Sequence, residues 1–270
     1  MGRFLAFLAL LASLAIAAAW YVQRSPVGLP AVAPHRAKPN DGWLTDLYSQ
    51  NPRETERAIA RVNALGLEAL PLIRQTLQDP KADRDRRKGA LKACAVLGPV
   101  AATAVPDVAA MLNEPELTAE AAIALSFMGV DALPPLRHAI TADDPLIRRE
   151  ALRSLGKLHS RASLDASDVM PLLLDAMSDE NEGVRAVAAT YLGILHEDPK
   201  ASVPLLITAL EDADVGVRRA AAGALGSFGG AAQPAIPALK KAMSDPDEDL
   251  VREAGRAIVK LQSEGRGPGS

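Results

Sequence analysis

The chain is short of cysteine, histidine and aromatic side chains. It has one cysteine, four histidines and 3% aromatic residues in 270. A lone cysteine, Cys94, cannot form an intramolecular disulfide, and the lack of one near Ala19 excludes a lipoprotein anchor. No Gly-rich phosphate loop, Ser-His-Asp set or HExxH motif appears. A pI near 5.9 with a formal net charge of −3 argues against nucleic acid as a partner. Few aromatics beside 49% apolar residues leave a core of Ala, Leu and Val, which suits thin layers of helices better than one thick centre.

What is present is a motif that returns about every 33 residues, written most plainly as Val217-Arg218-Arg219-Ala220-Ala221-Ala222-Gly223-Ala224-Leu225-Gly226. Ile147 to Gly156 and Val184 to Gly193 match it position by position, and Val251 to Lys260 keeps the Arg but loses Leu-Gly. Degenerate copies end at Gly66, Gly98 and Ser126. Taking that terminal position as the register mark gives 66, 98, 126, 156, 193, 226 and 260. A fixed period of this size means stacked supersecondary units whose function comes from an extended surface.

Each unit also holds a segment with proline near its start: Pro71, Pro106, Pro134, Pro171, Pro204 and Pro237. Proline has no N–H and a fixed φ, so the first turn of a helix is where it belongs. Asp179, Asp212 and Asp245 then mark the turn before the next Arg motif. Each unit therefore reads as two short antiparallel helices, and the fold as an all-α, right-handed solenoid of about six to seven hairpins over residues 41–262. Residues 42–50, with Trp43, Leu44, Leu47 and Tyr48, read as a short helix capping the first layer.

These recurring Asp, Val-Arg, Ala-Ala and Leu-Gly elements resemble the HEAT repeat family, and more closely its bacterial phycobilin-lyase-type subclass. The resemblance implies a structural ladder of turn Asp and helix Arg between adjacent repeats. Carried over, the pairs are Asp179 with Arg185, Asp212 with Arg218, Asp245 with Arg252 and, less regularly, Asp143 or Asp144 with Arg148. Ala90 and Thr118 stand where Arg is expected in the N-terminal units. The face of the Arg-motif helices, with Arg149, Arg153, Arg219, Glu253 and Arg256 pointing outward, is the candidate surface for protein partners.

The resemblance also brings an alternative, a HEAT-type enzyme or metal protein of the lyase or hydroxylase kind that uses His159, His196 and nearby carboxylates. Those two histidines follow Gly156 and Gly193 by three residues, as Gly129 follows Ser126 and Gly229 follows Gly226. That position reads more simply as a helix C-terminus in a left-handed conformation. No catalytic residue, metal, cofactor or small-molecule substrate is therefore assigned.

Residues 4–22 contain no charge and, as a helix, reach about 28 Å, close to the hydrocarbon thickness of a bilayer. Trp20 and Tyr21 fall where interfacial aromatics belong. Residues 1–23 are read as a membrane anchor or a cleaved signal, followed by a Pro-rich linker over 24–40. Either reading sends the solenoid to the bacterial cell envelope, anchored in the inner membrane facing outward or secreted. Residues 263–270 are Gly/Pro/Ser-rich and read as a loose tail. Lys and Arg balance Asp and Glu at 16 each over 41–161, whereas 162–261 holds 9 against 16, a net of −7.

Overall fold

A single helical hairpin cannot bury its own apolar face, so every unit of this chain depends on the next one covering it. The structure, a computed structural model, describes residues 42–162 and 164–264, and among these no residue is in a strand. A short helix α1 (Trp43–Asp46) leads into six hairpins. They are α2 (Pro52–Leu65) with α3 (Leu70–Gln78), α4 (Arg84–Leu97) with α5 (Val105–Ala110), and α6 (Thr118–Leu125) with α7 (Leu133–Ala139). Then come α8 (Pro145–Ala162) with α9 (Ala166–Ala176), α10 (Glu182–Leu195) with α11 (Pro199–Ala209), and α12 (Val215–Ser227) with α13 (Ile236–Ala242). Helix α14 (Glu248–Glu264) is the last element among the described residues and takes up Ser263 and Glu264 from the expected tail. The hydrophobic segment, the linker and residues 265–270 lie outside the described residues.

Even-numbered helices hold the position of the Arg motif in each unit and stack closely on one another, while odd-numbered helices touch each other far less. The core lies between these two layers. Leu125, Leu155, Leu192 and Leu225, one from each of four consecutive even helices, are fully buried. Cys94 takes the same place in α4, where burial and then the charge of Asp107 push its thiol up to about 12. Trp43, Leu44 and Leu47 cover the open side of the first layer. Residues 84–113 are apolar enough to cross a membrane by composition, but Gly98 and Pro99 break them into separate helices whose Ala90, Leu91, Ala93 and Cys94 are core.

Four of the six prolines sit in a first turn, namely Pro71, Pro106, Pro134 and Pro237. Pro171 and Pro204 instead lie inside α9 and α11, which start a turn earlier than the proline rule places them. The reason is local: Asp165 and Asp198 accept hydrogen bonds from the N–H groups of Ser167 and Ala201, supplying a cap upstream of the proline.

The structure also separates two kinds of glycine that one register mark had merged. Gly66, Gly98, Gly129 and Gly229 have φ of +51°, +59°, +81° and +54°, and His196 joins them at +41°. These are helix ends, where the left-handed conformation favours glycine. Gly156, Gly193 and Gly226 are inside helices. A Cβ on Gly193 would stand 2.5 Å from the Ala224 Cα, and one on Gly156 would collide with the Tyr191 ring. The helix-end series is thus 66, 98, 129, 196 and 229, with the corresponding place in α8, His159, still inside its helix, and in α4 the place of the motif Arg falls on Arg87, three residues before Ala90.

Adding one methyl group tests these roles. Gly193→Ala forces α10 and α12 apart and should lower unfolding free energy by about 1–3 kcal/mol. Gly255→Ala, in α14 with nothing within 4 Å of the new Cβ, should raise it by about 0.5–1 kcal/mol. Urea denaturation of both variants against the parent protein checks the opposite signs.

Candidate interaction surface

Arg148, Arg185 and Arg218 each reach forward to the turn of the next repeat. Nε and Nη2 of Arg185 donate to Asp212 at 2.8 and 2.9 Å, and those of Arg148 donate to Asp179 at 2.8 Å each. Arg218 does the same to Asp245 at 3.1 and 3.3 Å. Nη1 turns back to the chain's own turn, donating to the carbonyls of Asp179 and Glu180 from Arg185, of Asp212 and Ala213 from Arg218, and of Ala142 and Asp143 from Arg148. Only a planar fork satisfies a carboxylate and two carbonyls at once, which is why the position is Arg and not Lys.

The carried-over pairs are therefore displaced by one repeat. Asp179, Asp212 and Asp245 give their side chains to the preceding repeat and only their backbone carbonyls, where they give one, to their own Arg. Asp144 is no rung at all: its carboxylate caps α8 by accepting from the Leu146 N–H at 2.8 Å. Asn181, Asp214 and Asp247 cap α10, α12 and α14 from the corresponding place in each turn. Arg252 stands one residue past the ladder place, which in α14 is Val251, four residues after the cap Asp247 as Arg218 is after Asp214, and it pairs within its own helix with Asp249. In α6 Thr118 replaces the Arg, and its hydroxyl donates to the Leu112 carbonyl six residues back, the same carbonyl place the arginines serve. The Asp that would have faced it in the next turn is Ala142, so both ends of that rung are missing together. Arg87 pairs forward with Glu114 at 2.6 Å.

Beyond the ladder, the even helices present an outward row at two places per helix, one turn apart. It reads Lys92 and Val96 on α4, Ile123 and Phe127 on α6, Arg153 and Lys157 on α8, Thr190 and Ile194 on α10, Gly223 and Ser227 on α12, and Arg256 and Lys260 on α14. All are half-exposed or exposed. Several of the proposed surface charges are engaged: Arg149 and Arg153 both pair with buried Glu150, Arg219 with Asp247 and Asp249, and Arg256 with Glu253. The apolar members Ile123, Phe127 and Ile194 carry no signal of exposure in the sequence, because an apolar residue in an amphipathic helix reads as core.

The histidines share a repeat position but not a conformation. His196 ends α10 in the left-handed region, with its Nδ1 3.0 Å from the Ile194 carbonyl oxygen. His159 stays helical because α8 runs on to Ala162, and its Nε2 lies 3.7 Å from Glu197. Among the described residues no three His, Cys, Asp or Glu side chains come together as a metal-binding group.

The ladder sets an acid limit. Burial raises the Asp179 carboxyl, but hydrogen bonds from Arg148 and the Asn181 N–H, with the charges of Arg148 and Arg185, outweigh it and hold the group below its ordinary value. Asp212 is likewise lowered, chiefly by its hydrogen bond from Arg185. Outside the ladder, the bond from Arg219 holds Asp247 at about 2. A depressed folded value means stability is present in full above the unfolded value near ~3.9 and is lost as pH falls toward the folded one. The urea midpoint should thus drop between about pH 4 and pH 2. Arg185→Ala, which strands Asp212 and two carbonyls, should cost about 2–4 kcal/mol at pH 7, whereas Arg252→Ala should stay within about 0.5 kcal/mol. Equal costs for the two variants would refute the displaced pairing.

The family model for HEAT repeats matches residues 106–166 and 170–259, more than half of the chain. Among solved structures, an engineered protein superposes with a TM-score of 0.51 at 22% identity, over 83% of this chain and 96% of that one. Importin beta gives a TM-score of 0.62 at 14% identity over 83% of this chain and 33% of that one. These two share the fold. The complex of CpcE and CpcF of phycocyanin lyase from Nostoc sp. PCC7120 matches with a TM-score of 0.49 at 26% identity, over 57% of this chain and 98% of that one. No curated protein matches the chain significantly. With ladder, stacked hairpins and family model in agreement, the chain belongs to the HEAT repeat family.

Proposed function

We propose that this chain is a non-catalytic scaffold that binds protein partners across the outward face of its even-numbered helices. One observation carries this reading. Inward positions repeat from unit to unit, whereas the outward row changes at every step: Ile123 and Phe127, then Arg153 and Lys157, then Thr190 and Ile194. The frame demands small and apolar residues where helices meet, and it leaves the outward row without a packing requirement. A row of differing chemistry on a constant spacing suits recognition of one extended partner by area and complementarity.

The setting we propose is the bacterial cell envelope. The apolar run over residues 4–22 supports an inner-membrane anchor or an export signal, and the four prolines at 26, 30, 34 and 39 support a spacer that keeps the array clear of the bilayer.

Photo-crosslinkable amino acids placed singly at Thr190 and Ile194 on the row, with buried Val217 as control, test the scaffold in intact cells. Discrete protein adducts at the two outward positions and none at Val217 are expected. Failure to form an adduct at any position of the row at native expression would overturn it.

A further inference from the structure

The outward row is not uniform in depth. Where α4 and α6 run side by side, Tyr48, Leu91, Ala95, Val96, Ile123 and Phe127 line an apolar groove of about 410 Å³. Ile123 and Phe127 are 44% and 38% exposed, and with Val96 and Tyr48 beside them they form a contiguous apolar patch and not scattered single residues.

Cations stand on both sides of this strip. On the α4 side, the Lys92 ammonium lies 5.0 Å from the centre of the Tyr48 ring and donates to the Leu47 carbonyl at 2.7 Å. On the α8 side, Arg153, Lys157 and Arg161 follow one another at four-residue spacing on one helix face. The Arg161 Cζ lies over Phe127, 3.9 Å from the ring centre, and Nη1 donates to the Ser126 hydroxyl at 3.1 Å. The groove's own carboxylate, Glu120, is already paired with Lys88, and Arg153 is held by Glu150. Lys92, Lys157 and Arg161 have no carboxylate partner among the described residues. An apolar floor between two cationic walls is complementary to a segment that is apolar along one stripe and acidic along both flanks.

Resting on the scaffold reading above, we infer that this groove receives an acidic amphipathic helix of a partner protein, its apolar side chains seated between Val96 and Phe127. Helices in contact lie about 8–10 Å apart, so the walls formed by α4 and α8 stand roughly two such spacings apart and leave room for a helix about 10–12 Å across. The way the cations lie favours a helix over a lipid surface. Lys92 and Arg161 are drawn down onto aromatic rings inside the groove, whereas a flat layer of headgroups would be met by side chains projecting beyond it.

The test uses the full chain in non-ionic detergent. The probe is a fluorescent amphipathic peptide of about 18 residues, apolar at i, i+4, i+7 and Glu-rich on both flanks, and its control carries Lys in place of Glu. Anisotropy should show saturable binding of the acidic peptide only, weakened by salt, with affinity at least about tenfold lower in Ile123→Asp and about three- to tenfold lower in Lys157→Glu. Ile123 is exposed and Lys157 partly so, and circular dichroism of each variant checks that the fold is intact. Equal binding of acidic and basic peptides, or an unchanged affinity in a folded Ile123→Asp variant, would overturn the inference. So would absence of peptide binding alongside binding of fluorescent phosphatidylglycerol that Ile123→Asp abolishes. Crosslinks at Ile194 that persist in Ile123→Asp would defeat the groove and leave the scaffold standing; absence of crosslinks everywhere on the row would defeat the scaffold itself.

Discussion

Close approach of successive even-numbered helices is the constraint from which the rest follows. Gly193 faces the backbone of Ala224, Gly156 faces Tyr191 and Gly226 faces Ala257, so α8, α10 and α12 each present the next even helix with a place that has no side chain. Such contact brings the buried leucines of consecutive repeats into one continuous layer and brings each Arg within reach of the following turn. Lateral packing and the charged ladder are thus one device: the small residues set the distance, and the bidentate pair sets the register. Dispersion and burial supply most of the attraction, while the ladder makes a one-turn slip costly because it would strand a carboxylate and two carbonyls.

The N-terminal repeats show what happens when the device is relaxed. Thr118 keeps the backbone half of the Arg's work by bonding to the Leu112 carbonyl, and Ala142 lacks the carboxylate that nothing there would meet. Thr55 does likewise in α2, donating to the Ser49 carbonyl six residues back. Between these two, Arg87 pairs with Glu114, which lies two residues beyond the usual turn position. In this less regular part of the array the outward row turns apolar and the groove opens. Beside that groove Lys92, Lys157 and Arg161 have no carboxylate partner among the described residues, whereas in the C-terminal repeats Arg219 and Arg256 are tied to carboxylates.

Much of this was legible beforehand, and the failures share a cause. Period, hairpin composition and the small residues at helix contacts could be read because they are local and recur. Ladder residues could be named as a set, but their pairing could not, because Asp179 is equally near in sequence to a partner six residues on and in space to one thirty-one residues back. The mark at Gly98 misled for a related reason: a glycine chosen for its backbone angle and one chosen for lack of a side chain look alike in one sequence. Taking them together shifted the motif in α4 by three residues and hid Arg87 behind Ala90.

Sequence alone determined that this is a stack of helical hairpins, roughly how many there are, and which residue types meet inside, because periodic burial leaves a periodic pattern. Only the tertiary structure decided which repeat each Arg serves, which apolar residues remain outside, and that cations from α4 and α8 flank the same strip. Those outcomes depend on distances between residues some thirty positions apart, and such distances exist only after the helices have stacked.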